Sequence, residues 1–293
     1  DLLQKYKPLV NLIQNEPLIE AKPSMDMLFL DAIDRNPTGS IYYGTGLTTP
    51  REIGVGLPFD VLGMILVAEK IKKATGLKQI FHHIADTHAK TNSWVNLADV
   101  NKRAYEVKNI LERVSSNLGI SGFNVVMSSS FDSSPEYQEL VKKFKSLSNE
   151  HEYVVREMAD MEWYREKHGT VIKMGWIIQA SETELGFDER LFDREYTRIQ
   201  GDKLAFIYTK PGRTMDKSRP KASPYIQVAN EQRILLEKGE NVKEKLAIAK
   251  QKYGDVHLGG AIKHIESIVR DYEKLFGPLG KVTLEEKVQL IID

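Results

Sequence analysis

The chain of 293 residues contains no cysteine, which excludes a disulfide framework, thiolate zinc sites and cysteine nucleophiles. It also lacks net charge. Lysine plus arginine number 41 and aspartate plus glutamate number 41, so no whole-protein field favours nucleic acid or an anionic membrane, and any RNA binding must come from a local patch. Long apolar runs are missing too: the longest, Val61–Ala68, falls well short of the roughly 20 residues of a membrane span. No G-x-S-x-G elbow, P-loop or metalloprotease pattern is present, and there is no internal repeat or low-complexity tract. No signal peptide is evident and the start at Asp1 reads as that of a trimmed or partial chain, so a cytoplasmic location with no membrane partner is expected.

What is there is a hydrophobic content of 41%, enough for a full core, arranged as alternating strand and helix signals. "SIYYGTG" is β-rich and ends in glycines, and "PFDVLGMILVAEKIKKATG" follows with Pro58 suited to a first helical turn and Gly76 to a stop. "KQIFHHIAD" is the next strand. After it Val100, Ala104, Val107, Ile110, Leu111 and Val114 recur at helical spacing, and "SGFNVVMSS" is a third strand. Strands separated by helices of this length imply an α/β fold with a doubly wound parallel sheet, whose ligands bind beyond the carboxyl ends of the strands. The loops after Gly44, Asp86 and Ser128 then share one crevice.

From Ser134 to about His168 the pattern is charged and helical, opening on a serine-proline start signal. "KLAFIYT" returns to strand character and is followed by a long basic loop, where residues 210 to 221 hold Lys210, Arg213, Lys217, Arg219 and Lys221 against the single acid Asp216. Helices are expected at roughly 227 to 253, 259 to 276 and 283 to 291. His82, His83 and His88 lie near one strand end, but alternation puts His82 and His83 on opposite faces, so no metal site is expected. His88 reads as a brace for the crevice, and Trp94, Trp163 and Trp176 as packing residues, with Trp176 also a candidate to line the pocket.

Three stretches, in order, resemble the catalytic domain of a class I aminoacyl-tRNA synthetase of the tyrosyl and tryptophanyl group. "YYGTGLTTPREIGV" is similar to the strand-to-helix segment that carries the HIGH motif, "IADTHAKTN" to the ending of the second strand, and "TMDKSRP", Thr214 to Pro220, to the KMSKS loop. The resemblance implies a Rossmann-like domain over residues 40–226 with a helical connector over about 131–168. It is preceded by an N-terminal helical extension, 1–39, and followed by a helical C-terminal appendage, 227–293. It also implies activation of an amino acid as its adenylate, with ATP and Mg2+, transfer to tRNA, and a homodimer made through the connector.

By this resemblance Gly44, Gly46, Thr48, Gly54, Met215 and Lys217 meet the nucleotide, and Lys217, Ser218 and Arg51 serve catalysis. Tyr42, Asp86, Gln179 and Glu182 meet the amino acid. The departures fall in the same places: the two histidines of HIGH become Glu52 and Val55, and Gly175 and Glu182 stand where tyrosine enzymes carry a tyrosine and an aspartate. A glutamate at 52 is an acceptor and an anion, so it cannot replace a donor to phosphate, whereas the fork of Arg51 suits phosphate oxygens. Both also read as solvated helix-entry residues. The acids Glu182, Glu184, Asp188, Glu189, Asp193 and Glu195 are either a pocket wall for a cationic substrate or, for all but Glu182 and Asp188, a charged helix surface.

Two other functions stay open because fold does not fix function: a paralogue that adenylates a substrate other than tRNA, and a non-catalytic regulator that binds tRNA or an amino acid. Contacts to tRNA would depend on lysines such as Lys243, Lys245, Lys250 and Lys252. The expected homodimer is checked by light scattering at micromolar concentration, which should return twice the mass of one chain; the mass of a single chain would reject it.

Overall fold

The β-rich and apolar runs become strands, and the 3.6-residue periodicities become the helices between them. The computed structural model of the chain describes residues 1–21, 27–46, 57–88, 97–176, 189–209 and 234–293. Helices α1 (Leu2–Lys5) and α2 (Lys7–Asn15) lead to a short strand β1 (Ile19–Ala21) and α3 (Met27–Asp34). Then β2 (Ser40–Gly46), α4 (Asp60–Thr75), β3 (Gln79–Ala85), α5 (Leu97–Asn117) and β4 (Phe123–Met127) alternate. A helical pair follows, α6 (Pro135–Leu147) and α7 (Glu152–His168), and then β5 (Thr170–Trp176), α8 (Glu189–Gln200) and β6 (Ala205–Thr209). The chain closes with α9 (Val242–Phe276) and α10 (Leu284–Ile292).

The strands form one six-stranded sheet in the order β1-β6-β5-β2-β3-β4. The pairs β2–β3, β3–β4, β2–β5 and β5–β6 are parallel, and β1 is antiparallel to β6 at the edge. The strand order reverses between β2 and β5, so the carboxyl ends of β2, β3 and β5 border the switch point at which ligands of such sheets bind. From Ile80 onward β3 is buried at every position, as expected for a central parallel strand covered on both faces. This is the mixed α/β, mostly parallel, Rossmann-like architecture.

The chain divides into two compact units, residues 1–55 with 68–209 and residues 56–67 with 210–293. In the first, one face of the sheet packs through Tyr42 and Phe81 against Phe144 of α6, Met158 and Tyr164 of α7 and Tyr196 of α8. Local signals fix the ends of this helical layer. Ser134 caps α6 by accepting from the Tyr137 amide at 3.3 Å, with Pro135 in the first turn, and Gly169 stops α7 in the left-handed region at φ 60°. In the second unit, Phe59 donates its amide to the Ile234 carbonyl at 2.9 Å and Leu236 donates to the Leu57 carbonyl at 2.7 Å. There α10 opens on a capping box formed by Thr283 and Glu286 and ties to α9 through Lys287 and Glu273 at 2.8 Å.

The C-terminal helices differ from the sequence expectation. Residues 234–241 are not helical, and in place of two helices there is one of 35 residues, α9, which runs through Gly254, Gly259 and Gly260. Glycine costs only about 1 kcal/mol relative to alanine in a helix interior, a penalty that many favourable neighbours outweigh. Among the described residues no helix is long and apolar enough to cross a membrane.

One glycine is required by geometry. Gly122, just before β4, has φ 70°, and a Cβ there would overlap the carbonyl oxygen of Lys78, which immediately precedes β3. Gly122→Ala should therefore combine left-handed strain with a backbone clash and lower stability by about 2–4 kcal/mol, read from urea unfolding midpoints. An effect within the error of the measurement would reject this account of the β3–β4 approach.

Candidate functional site

The register of β2 on β3 assembles the site. Gly44 is the partner of His83 and Gly46 of Ala85, so β2 ends beside the turn that carries Asp86. The Asp86 amide donates back to the Ile84 carbonyl at 2.9 Å, which turns the chain sharply and directs the carboxylate inward, where it is only 2% exposed. Oδ1 accepts from the backbone amide of Ser129 at 3.0 Å, at the end of β4. Oδ2 is buried and has no hydrogen-bond partner among the described residues. A buried carboxylate oxygen left unpaired is costly, and a donor from a ligand would satisfy it.

Tyr42, in register with Phe81 on one side and Lys173 on the other, is fully buried and stacked on Tyr164, with ring centroids 4.3 Å apart at 27°. Gly44 and Gly46 lie at the end of β2, and Gly175 sits on β5 opposite Tyr208. The remaining sequence-expected site residues, Thr48, Arg51, Glu52, Gly54, Val55, Gln179, Glu182, Met215, Lys217 and Ser218, lie outside the described residues, as does Trp94. The structure thus places Gly44, Gly46 and Asp86 at neighbouring strand ends, with Tyr42 buried further back along β2. Trp163 packs as expected, stacked on Phe131 at 3.9 Å and 13°.

Beside this crevice stand two polar clusters that the sequence reading did not assemble. The first joins β3 to α7. As strand alternation requires, His82 and His83 point to opposite faces. His82 meets Tyr43 and Phe123, and burial, with the neighbouring His83, pushes its pKa down to about 3, so it stays neutral. His83 faces α7 together with His88, and Asp160 lies between them: its Oδ2 is 3.0 Å from His83 Nε2 and 2.9 Å from His88 Nε2. All three residues are buried.

Burial alone would lower the His88 pKa, but the Asp160 carboxylate outweighs it, with Glu157 adding, and holds it above the usual imidazole value. Burial would likewise raise Asp160, but the two imidazoles hold it far below the carboxylate range. The shared signal in the sequence is the spacing of Glu157, Asp160 and Tyr164 at i, i+3 and i+7 on α7, which puts all three on one face.

The second cluster joins β5 to α8 and β6. Lys173 donates to Asp193 Oδ1 at 2.6 Å and Tyr208 donates to Asp193 Oδ2 at 2.5 Å, with lysine and aspartate side chains 2% and 3% exposed. Asp193 is therefore neither a helix-surface acid nor an open pocket wall. Glu195, two residues on and on another side of the helix, pairs with the exposed Arg198 and accepts from the Ser148 hydroxyl at 2.8 Å.

No family model and no curated protein matches the chain. Solved structures do. The tryptophanyl-tRNA synthetase of Encephalitozoon cuniculi bound to tryptophan superposes with a TM-score of 0.59 at 14% identity, covering 99% of this chain and 88% of that one. The tyrosyl-tRNA synthetase of Archaeoglobus fulgidus complexed with L-tyrosine matches at 0.54 and 12% identity over 100% of both chains. That of Aeropyrum pernix matches at 0.54 and 14% over 99% and 98%. The chain has the Rossmann-like fold seen in class I synthetases. The fold is similar to that of tyrosyl- and tryptophanyl-tRNA synthetases.

The buried Lys173–Asp193 pair yields a stability prediction. Asp193→Ala leaves an ammonium in the core without its carboxylate and should cost about 3–5 kcal/mol, whereas Lys173→Met with Asp193→Leu should recover most of that loss. Urea unfolding of both variants checks the contrast, and equal losses would mean that packing rather than charge sets the cost.

Proposed function

We propose that the protein activates an amino acid as its adenylate, using ATP with Mg2+, and transfers it to tRNA. The carboxylate oxygen of the amino acid attacks the α-phosphorus, the bond from that phosphorus to the bridging oxygen breaks, and pyrophosphate leaves; Mg2+ bound with the ATP would offset the charge of the phosphates. The observation that carries the reading is Asp86: a buried carboxylate at the switch point of a synthetase-like sheet, with one oxygen anchored by the Ser129 amide and the other without a partner among the described residues. Such an oxygen suits an ammonium or a ribose hydroxyl, both donors offered by the reactants. Tyr42, Gln179 and Glu182 line the amino-acid side, and Gly44, Gly46, Thr48, Gly54 and Met215 the nucleotide. Arg51, Lys217 and Ser218 oppose the charge that grows on the phosphates.

A second reading keeps adenylation but leaves tRNA out, the activated substrate serving another reaction. It is favoured by two of the lysines expected to track RNA phosphates, since Lys245 is paired with Glu240 and Lys250 with Glu285 at 3.4 Å.

The test is ATP–pyrophosphate exchange across the common amino acids, with and without total tRNA. Exchange with one or a few of them is expected, and silence with all would reject adenylation. Lys217→Ala should remove about 2–4 kcal/mol of transition-state stabilisation with little change in ATP affinity, because the lysine acts on charge that develops in the transition state. Asp86→Asn should raise the KM for the amino acid or for ATP more than it lowers kcat. An unchanged KM for both would remove Asp86 from the site.

A further inference from the structure

The cluster between β3 and α7 has the composition and the convergence of a metal centre. One ring nitrogen each of His83 and His88 and a carboxylate oxygen of Asp160 all lie within 4.8 Å of one another, and every one of these side chains is buried. Asp160 Oδ2 stands between the two imidazoles, 3.0 Å from one ring nitrogen and 2.9 Å from the other. Ligand atoms held about a common ion look like this. In a tetrahedral zinc site with bonds of about 2.0–2.2 Å the ligand atoms stand roughly 3.3–3.5 Å apart, so the observed contacts need open by only a few tenths of an ångström.

The surroundings repeat the pattern from the other side of each ligand. His83 Nδ1 is hydrogen-bonded to the Tyr164 hydroxyl at 3.0 Å, which fixes the ring and leaves Nε2 facing the cluster. His88 Nδ1 faces the Glu157 carboxylate at 3.6 Å. Asp160 Oδ1 accepts from the Tyr137 hydroxyl at 2.7 Å, leaving Oδ2 to the two imidazoles. Metal-bound histidines and carboxylates are held by such outer partners, which orient the ring and raise ligand basicity. The Ser128 hydroxyl lies 3.2 Å from His83 Nε2 and donates to the Ile84 carbonyl at 3.1 Å, so the fourth position of a tetrahedral ion would fall to water.

We propose that His83, His88 and Asp160 bind one divalent transition-metal ion, zinc by the nature of the donors, and that this ion fastens helix α7 to the end of β3. Two imidazoles and one carboxylate suit zinc among the abundant divalent ions, since calcium and magnesium take oxygen donors. The complete burial of the ligands makes the ion structural. By holding the segment between β3 and His88 it also steadies Asp86, two residues from one ligand.

The experiment is metal analysis of the full chain purified without metal-affinity resin and dialysed against metal-free buffer, by inductively coupled plasma mass spectrometry. About one zinc per chain is expected. Replacement with cobalt should give the visible d–d absorption of a tetrahedral site, and a strong chelator should lower the melting temperature. Asp160→Asn and His88→Gln should abolish the cobalt spectrum and the response to chelator.

Because those variants can fail to fold, the wild-type chain decides the matter. Chain that binds neither zinc, cobalt nor manganese when each is added in excess, and whose melting temperature ignores chelator, overturns the proposal and leaves the cluster as an imidazole–carboxylate network. Metal content and spectrum are independent of whether amino acids are activated, so this result and the exchange assay stand or fall separately.

Discussion

The packing of this face of the sheet depends on one constraint: carboxylates buried between the sheet and its covering helices must each be met by donors. Helix α7 alone turns Asp160 and Glu162 inward to 0% and 1% exposure. Burying an ionised carboxylate is expensive unless it is paired and hydrogen-bonded, so each of these groups selects its neighbours. Asp160 takes His83 and His88 from the sheet side and Tyr137 from α6. Glu162 takes both arms of Arg165 and the Tyr196 hydroxyl from α8. Asp193 takes Lys173 and Tyr208 from two strands. These anchors tie α6, α7 and α8 to one another and to β3, β5 and β6. An apolar interface could slide by a rotamer, but these directional contacts fix which residue meets which.

That constraint also divides what the sequence discloses from what it withholds. Strands β2, β3 and β4 and the helices between them were legible because each is a local pattern with its own stop signal, and the start of α6 was legible from Ser134 and Pro135 alone. Asp86 could be set at the crevice because a parallel sheet places its site at strand ends, whereas Tyr42 was named only by the resemblance to the synthetases. The partnership of Asp160 with His83 was hidden, since it links residues 77 positions apart and the helix that carries Asp160 looks merely charged. Strand β5 was obscured by its lysine, a residue rare in central strands, whose partner Asp193 lies on a helix beyond it. The long helix α9 was divided in two because glycine reads as a stop, a local signal that tertiary context overrode.

Identities of 12–14% with structures that superpose over nearly the whole chain show how loosely this architecture holds its sequence. What the fold demands is strand order, a reversal between β2 and β5, and helices long enough to cross between parallel strands. Those demands are met by hydrophobic pattern and turn residues, which many sequences supply. Specific chemistry then rests on the few side chains at the strand ends.

Neighbouring histidines on β3 live in different chemical compartments. A single peptide bond separates His82, locked as a neutral ring among Tyr43 and Phe123, from His83, which looks onto the carboxylate of Asp160. The strand therefore divides an aromatic chamber from an ionic one across the thickness of one backbone. The partition is steric and not electrical: charge gathered on the α7 side is still felt by His82, whose pKa the neighbouring His83 helps to lower.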